Sequence, residues 1–140
     1  MKKLFPIILL FILFSCSKDK SLNSSSFPQK WQLVKIRSTW TGEEETGDSL
    51  EFQEYYLFNP DSTFIKHRDY QEKSYEATGT FFKTEENGST LFELDYDSVS
   101  PLVGSCYNDS TEVLALKSND QMVNTWMACD GPGLEYERVK

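Results

Sequence analysis

From Phe27 onward, apolar and polar residues alternate over most of this chain, the period of two expected of half-buried strands. Leu50, Phe52, Tyr56 and Phe58 share one face of a predicted strand, with Glu54 the single charged residue among them; Glu51, Gln53, Tyr55 and Leu57 take the other face. A first strand is predicted over Lys30 to Trp40, and a slip of parity between Leu33 and Val34 predicts a bulge there. Further strands are predicted over Thr63 to Tyr70, Tyr75 to Lys83, Leu91 to Tyr96, Glu112 to Lys117, Gln121 to Met127 and Leu134 to Val139. Gly79, inside the Tyr75 to Lys83 strand, marks a bend or a close backbone approach.

The punctuation agrees. Asn59-Pro60-Asp61-Ser62 is a turn, and Asn87-Gly88 supplies the positive φ angles of a tight hairpin. Glu43 to Asp48 and Asp97 to Ser110 read as loops. About eight short strands with no convincing helix predict an antiparallel barrel or sandwich.

Before Phe27 the chain reads differently. Lys2-Lys3 precede an apolar run from Leu4 to Phe14, which ends at Ser15-Cys16. A basic start, an apolar stretch shorter than the roughly 20 residues of a membrane span, and a small residue before the break are signal-peptide anatomy. Leu13-Phe14-Ser15-Cys16 resembles the signal of bacterial lipoproteins, although Phe14 stands where a smaller residue is commoner. The resemblance implies cleavage after residue 15, lipidation of Cys16, and anchoring in the cell envelope. Ser17 is not the Asp of inner-membrane retention, so the outer membrane is expected; Lys18-Asp19 partly resembles a surface-export signal. Residues 16–28, Ser-rich and without periodicity, are then a tether, and residues 29–140 the domain.

That division changes the reading of charge and cysteine. The formal charge of −8 becomes about −10 once Lys2 and Lys3 are removed. So acidic a surface argues against binding nucleic acid, which needs clustered Lys and Arg. With Cys16 assigned to lipid, Cys106 and Cys129 remain as a pair in an oxidising compartment, where a disulfide is expected. It would close a loop of about 24 residues, worth on the order of 3 kcal/mol in the chain-entropy model.

The domain resembles the lipocalin-like domains of small bacterial lipoproteins. The resemblance rests on Trp31-Gln32-Leu33, the Phe58 to Phe64 hairpin, Gly79-Thr80-Phe81, Val113 to Leu116 and Tyr136-Glu137-Arg138, spread over residues 30 to 139. It implies an eight-stranded up-and-down barrel with an internal cavity, and a structural pair at the closed end in which Arg138 stacks on Trp31.

Catalytic chemistry finds little footing. His67 is the only histidine, so neither a triad nor a zinc set can be assembled, and no enzyme activity, metal or cofactor is expected. Asp95, Asp97, Asp109 and Asp130 read as solvated loop acids. Phe52, Tyr56, Phe64, Phe81, Phe92, Tyr96 and Trp126 either line a cavity for a small apolar ligand or fill the barrel. The expectation is thus a monomeric, membrane-anchored barrel that binds a small apolar ligand or serves the envelope. The alternative is an interaction or inhibitor module working through Glu43 to Asp48 and Asp97 to Ser110. A cavity open at one end favours the first, and a filled barrel with ordered loops the second.

Overall fold

The computed structural model describes residues 27–107 and 109–140; the expected signal, Cys16 and the tether up to residue 26 lie outside them. Within the described residues the strands are β1 Gln29–Arg37, β2 Glu44–Thr46, β3 Gln53–Phe58, β4 Thr63–Tyr70, β5 Lys73–Glu86, β6 Ser89–Tyr96, β7 Thr111–Ser118, β8 Gln121–Asn124 and β9 Gly133–Arg138. Each of β3 to β8 pairs antiparallel with the next, and β1 joins β9 to β3. This is a closed eight-stranded up-and-down barrel. The short β2 lies along the second half of β1.

Local chemistry explains much of the register. Leu33 pairs with Tyr136 but Lys35 with Glu135, so Val34 is the extra residue of the expected bulge. Asn87 and Gly88, both at positive φ, close the β5–β6 hairpin as their types predict. A Cβ on Gly79 would lie 2.1 Å from the Asp95 carbonyl and 2.8 Å from Phe64 Cε1, so the backbones approach where only glycine fits. Phe27, within the expected tether, already packs on the barrel, its ring 5.5 Å from that of Phe81.

Several predicted boundaries move. The first strand stops at Arg37 because Gly42 N–H returns to the Ser38 carbonyl and folds the chain back, leaving Trp40 82% exposed. The acidic Glu43 to Asp48 segment is not all loop, since Glu44–Thr46 pairs with β1. A 3-10 turn over Gly47–Ser49 delays β3 to Gln53. β8 ends at Asn124, whose side chain donates to the Pro132 carbonyl and accepts from Leu134 N–H, each at 2.8 Å; a 3-10 turn over Trp126–Cys129 follows.

The two ends of the barrel differ. At the near end, where residues 27–30 join the sheet, the connections are the short turns after β3, β5 and β7. At the far end lie the β4–β5 turn and the long connections 38–52, 97–110 and 125–132. The near-end interior is aromatic: Phe58 stands 4.8 Å from both Phe81 and Phe92, and Phe64 meets Tyr96 edge-on at 4.9 Å. Each such ring, buried, stabilises the fold by roughly 1.5–3 kcal/mol.

Candidate functional site

Toward the far end the interior turns ionic. The β3–β4 hairpin pairs Phe58 with Phe64, Tyr56 with Lys66 and Glu54 with Arg68. Once Phe58 and Phe64 enter the core, the period of two carries Glu54, Lys66 and Arg68 inward as well. Glu112, on β7, meets them from across the barrel. Glu54, Lys66 and Glu112 are no more than 1% exposed.

Every buried charge is matched. Lys66 Nζ lies 3.1 and 3.2 Å from the Glu112 oxygens and 3.6 Å from Glu54 Oε1. Arg68 donates from Nε to Glu54 Oε2 at 2.5 Å, with Nη2 equally close to that oxygen. Tyr136 donates to Glu54 at 2.5 Å, and the Tyr96 hydroxyl donates to Glu112. Two carboxylates and two cations leave the cluster neutral. Unmatched, any one of them would face the several-kcal/mol cost of a buried ion.

Burial, together with these carboxylates, pushes the phenols of Tyr56, Tyr96 and Tyr136 well above their ordinary pKa. Burial opposes the charge on Arg68, but Glu54 outweighs it and the net pKa is raised. Tyr96 and Tyr136 therefore remain proton donors to Glu112 and Glu54, while the buried Tyr56 hydroxyl has no hydrogen-bond partner among the described residues.

The 97–110 connection covers this cluster. Leu102 is 3% exposed, and its carbonyl accepts from Lys66 Nζ at 2.7 Å. A Cβ on Gly104 would lie 2.2 Å from Trp126 Nε1 and 2.5 Å from Glu112 Oε1, so the loop seats directly on indole and carboxylate. Cys106 and Cys129 form the expected disulfide, with Cα atoms 5.7 Å apart, which ties this loop to the 126–129 turn.

Beside the cover, a cleft of about 430 Å³ opens among Glu51, Phe52, Arg68, Tyr70, Tyr75, Pro101 and Leu102. Within this lining the Arg68 guanidinium lies 4.0 Å above the centre of the Phe52 ring.

The seven aromatic residues expected to line a cavity divide between these regions. Phe64, Phe81 and Phe92 are buried against other rings in the aromatic half. Tyr56 and Tyr96 belong to the ionic cluster, Phe52 to the cleft, and Trp126 to the seat of the cover. Trp31 is buried at the near end and donates from Nε1 to Gln29 at 3.1 Å. Arg138 pairs opposite it in β9; the ammonium over the Phe27 and Phe92 rings is that of Lys83, about 5 Å from each. His67 lies outside the barrel wall, stacked on Tyr55 and bonded to Asp69 at 3.1 Å. Among the described residues, no three His, Cys, Asp or Glu side chains are grouped to share a metal ion.

No family model, curated protein or solved structure matches this chain. Sequence reasoning missed Lys66, Arg68 and Glu112 as a set, although Glu54 was visible as a charge on an apolar face. The hairpin register would have placed Lys66 and Arg68 beside it. Nothing local links Glu112 to them.

Proposed function

We propose that this protein is a lipid-anchored lipoprotein of the cell envelope, with a lipocalin-like barrel that binds a protein partner through its far end. One observation carries the reading. Trp40, Val99, Tyr107 and Met127 are 82%, 92%, 86% and 44% exposed, and all four sit on the three long far-end connections. Large apolar side chains gathered on loops that a filled barrel and a disulfide hold in place are the anatomy of a binding face. Anchoring rests on Leu13 to Cys16, and the described chain begins at Phe27 on the near end, opposite this face. The role is binding rather than catalysis. Photo-crosslinking groups placed at Trp40 or Tyr107 should capture a specific partner in cells, whereas one at Val139, exposed at the near end, should not. Equal capture at both ends would sink the assignment. Loss of fatty-acid labelling in Cys16→Ser tests the anchor.

A second reading, binding of a small apolar ligand, is supported by the cleft beside Phe52. Its volume lies within the range of small-molecule sites. The ligand would sit at the far-end mouth, not among the packed rings.

A further inference from the structure

We infer that the cleft at Phe52 and Arg68 takes a small carboxylate with an aromatic or apolar body. This rests on the second reading above, that a small ligand occupies the mouth, and adds the charged group that such a ligand must carry. Arg68 is the reason. A guanidinium has five N–H donors in a rigid fork. In Arg68 the two contacts from Nε and Nη2 converge on one oxygen, Glu54 Oε2. The donors on the Nη1 side are not taken by that oxygen, and Arg68, with a side chain 21% exposed, lines the cleft.

Orientation is already fixed. Glu54 holds one edge of the fork from 0% exposure, and the Phe52 ring supports its face at 4.0 Å. An incoming carboxylate would therefore meet a pre-organised donor edge and lose little side-chain entropy in binding it. The body of the ligand would lie against Tyr70, Tyr75, Pro101 and Leu102. Lys66 cannot serve in place of Arg68, because its ammonium is enclosed by Glu112, Glu54 and the Leu102 carbonyl. Glu51, exposed on the rim, weakly opposes an anion.

The test uses naphthylacetate and its neutral isostere naphthylacetamide, titrated calorimetrically into the full-length protein purified in detergent. The acid should bind at least tenfold more tightly than the amide. Equal binding would overturn the carboxylate assignment while leaving a ligand at the mouth; no binding of either probe would overturn both. Because Arg68→Gln strips Glu54 of a partner and can unfold the barrel, two milder variants accompany it. Tyr75→Ala should weaken both probes in parallel. Glu51→Gln should raise the preference for acid over amide by about two- to threefold, the scale of one exposed charge in water. A preference unchanged or lowered by Glu51→Gln would overturn the inference.

Discussion

The two halves of the barrel interior solve the same packing problem with different chemistry. The near half is filled by rings: Phe58 lies 4.8 Å from both Phe81 and Phe92 and 6.2 Å from Phe64, and Phe81 stacks on Phe92 at 5.8 Å. The far half is filled by Glu54, Lys66, Glu112 and Arg68 with three tyrosines. Rings need only volume complementarity, so the near half tolerates exchange among apolar residues. The ionic half needs each partner in place, because what remains after a deletion is a charge out of water. Buried ion pairs of this kind are often no more stabilising than well-packed hydrocarbon of the same volume. The cost is taken on at the end that carries the long loops, the exposed aromatics and the cleft.

Removing one ion breaks this comparison most sharply. Lys66→Met should destabilise the protein by about 3–5 kcal/mol in chemical denaturation, because Glu112 and part of Glu54 lose their counter-charge. Phe92→Ala, which leaves a cavity among rings, should cost a similar ~3–5 kcal/mol. The halves separate in the double variants. Lys66→Met with Glu112→Leu removes one charge of each sign and leaves Glu54 on Arg68, so it should be more stable than Lys66→Met alone. No second apolar truncation should rescue Phe92→Ala. If the charge pair proves additive, the far-half ions are not acting as a unit.

The next effect concerns what holds the cover on the ionic half. Cys106→Ser should lower stability by roughly 2–4 kcal/mol in the chain-entropy account and expose one titratable thiol. Hydrogen exchange should quicken over 97–110 and 126–129 and stay unchanged at the β5–β6 hairpin of the near end. Uniform quickening would mean that the disulfide stabilises the whole barrel rather than its cover.

How far the sequence revealed these halves follows the same division. The aromatic half was legible because alternation and turn chemistry are local: Asn87-Gly88, the Val34 bulge and the narrow place at Gly79 could each be read from a few residues. The disulfide needed only the count of cysteines. The ionic half was not legible, because Glu54, Lys66 and Glu112 come from three strands and a lone charge reads as a solvent-facing one until a partner is known. The β4–β5 turn is a related case. Gln71 and Glu72 both adopt positive φ, without the Asn or Gly that normally announces such a turn. Tertiary pairing of β4 with β5 overrides their local preference.

Alkali distinguishes the halves without mutation. Tyr56, Tyr96 and Tyr136 have folded pKa values well above the ordinary phenol value of about 10, first through burial and then through the carboxylates beside them. A folded pKa raised above the unfolded one contributes stability that is complete below pH ~10 and lost as pH rises past it. Ultraviolet titration should therefore find three of the seven tyrosines silent until the protein unfolds. Their ionisation in the native state would show the far half to be open to water.

The smallest expected effect tests a device that both ends share. Asp61-Ser62-Thr63 opens β4 at the near end and Asp109-Ser110-Thr111 opens β7 at the far end. In each, the aspartate accepts from the threonine hydroxyl and backbone N–H two residues on, at 2.7 and 3.1 Å for Asp61 and at 2.9 and 3.2 Å for Asp109. Asp109 also accepts from Ser105 at 2.7 Å, which closes the far-end loop on itself. These bonds, the Thr63 hydroxyl foremost for Asp61 and the Ser105 hydroxyl foremost for Asp109, hold both carboxyls below their ordinary pKa. A lowered folded pKa contributes stability present above the unfolded value and lost as pH falls through the folded one. Asp61→Asn and Asp109→Asn each keep an acceptor oxygen but abolish the charge. Both should lower neutral-pH stability slightly and flatten its decline below about pH 4, with Asp109→Asn doing more of each because its carboxylate serves one more donor. If Asp61→Asn flattens the acid limb as much as Asp109→Asn, the Ser105 bond adds nothing, and the far-end loop is held by its disulfide and Lys66 alone.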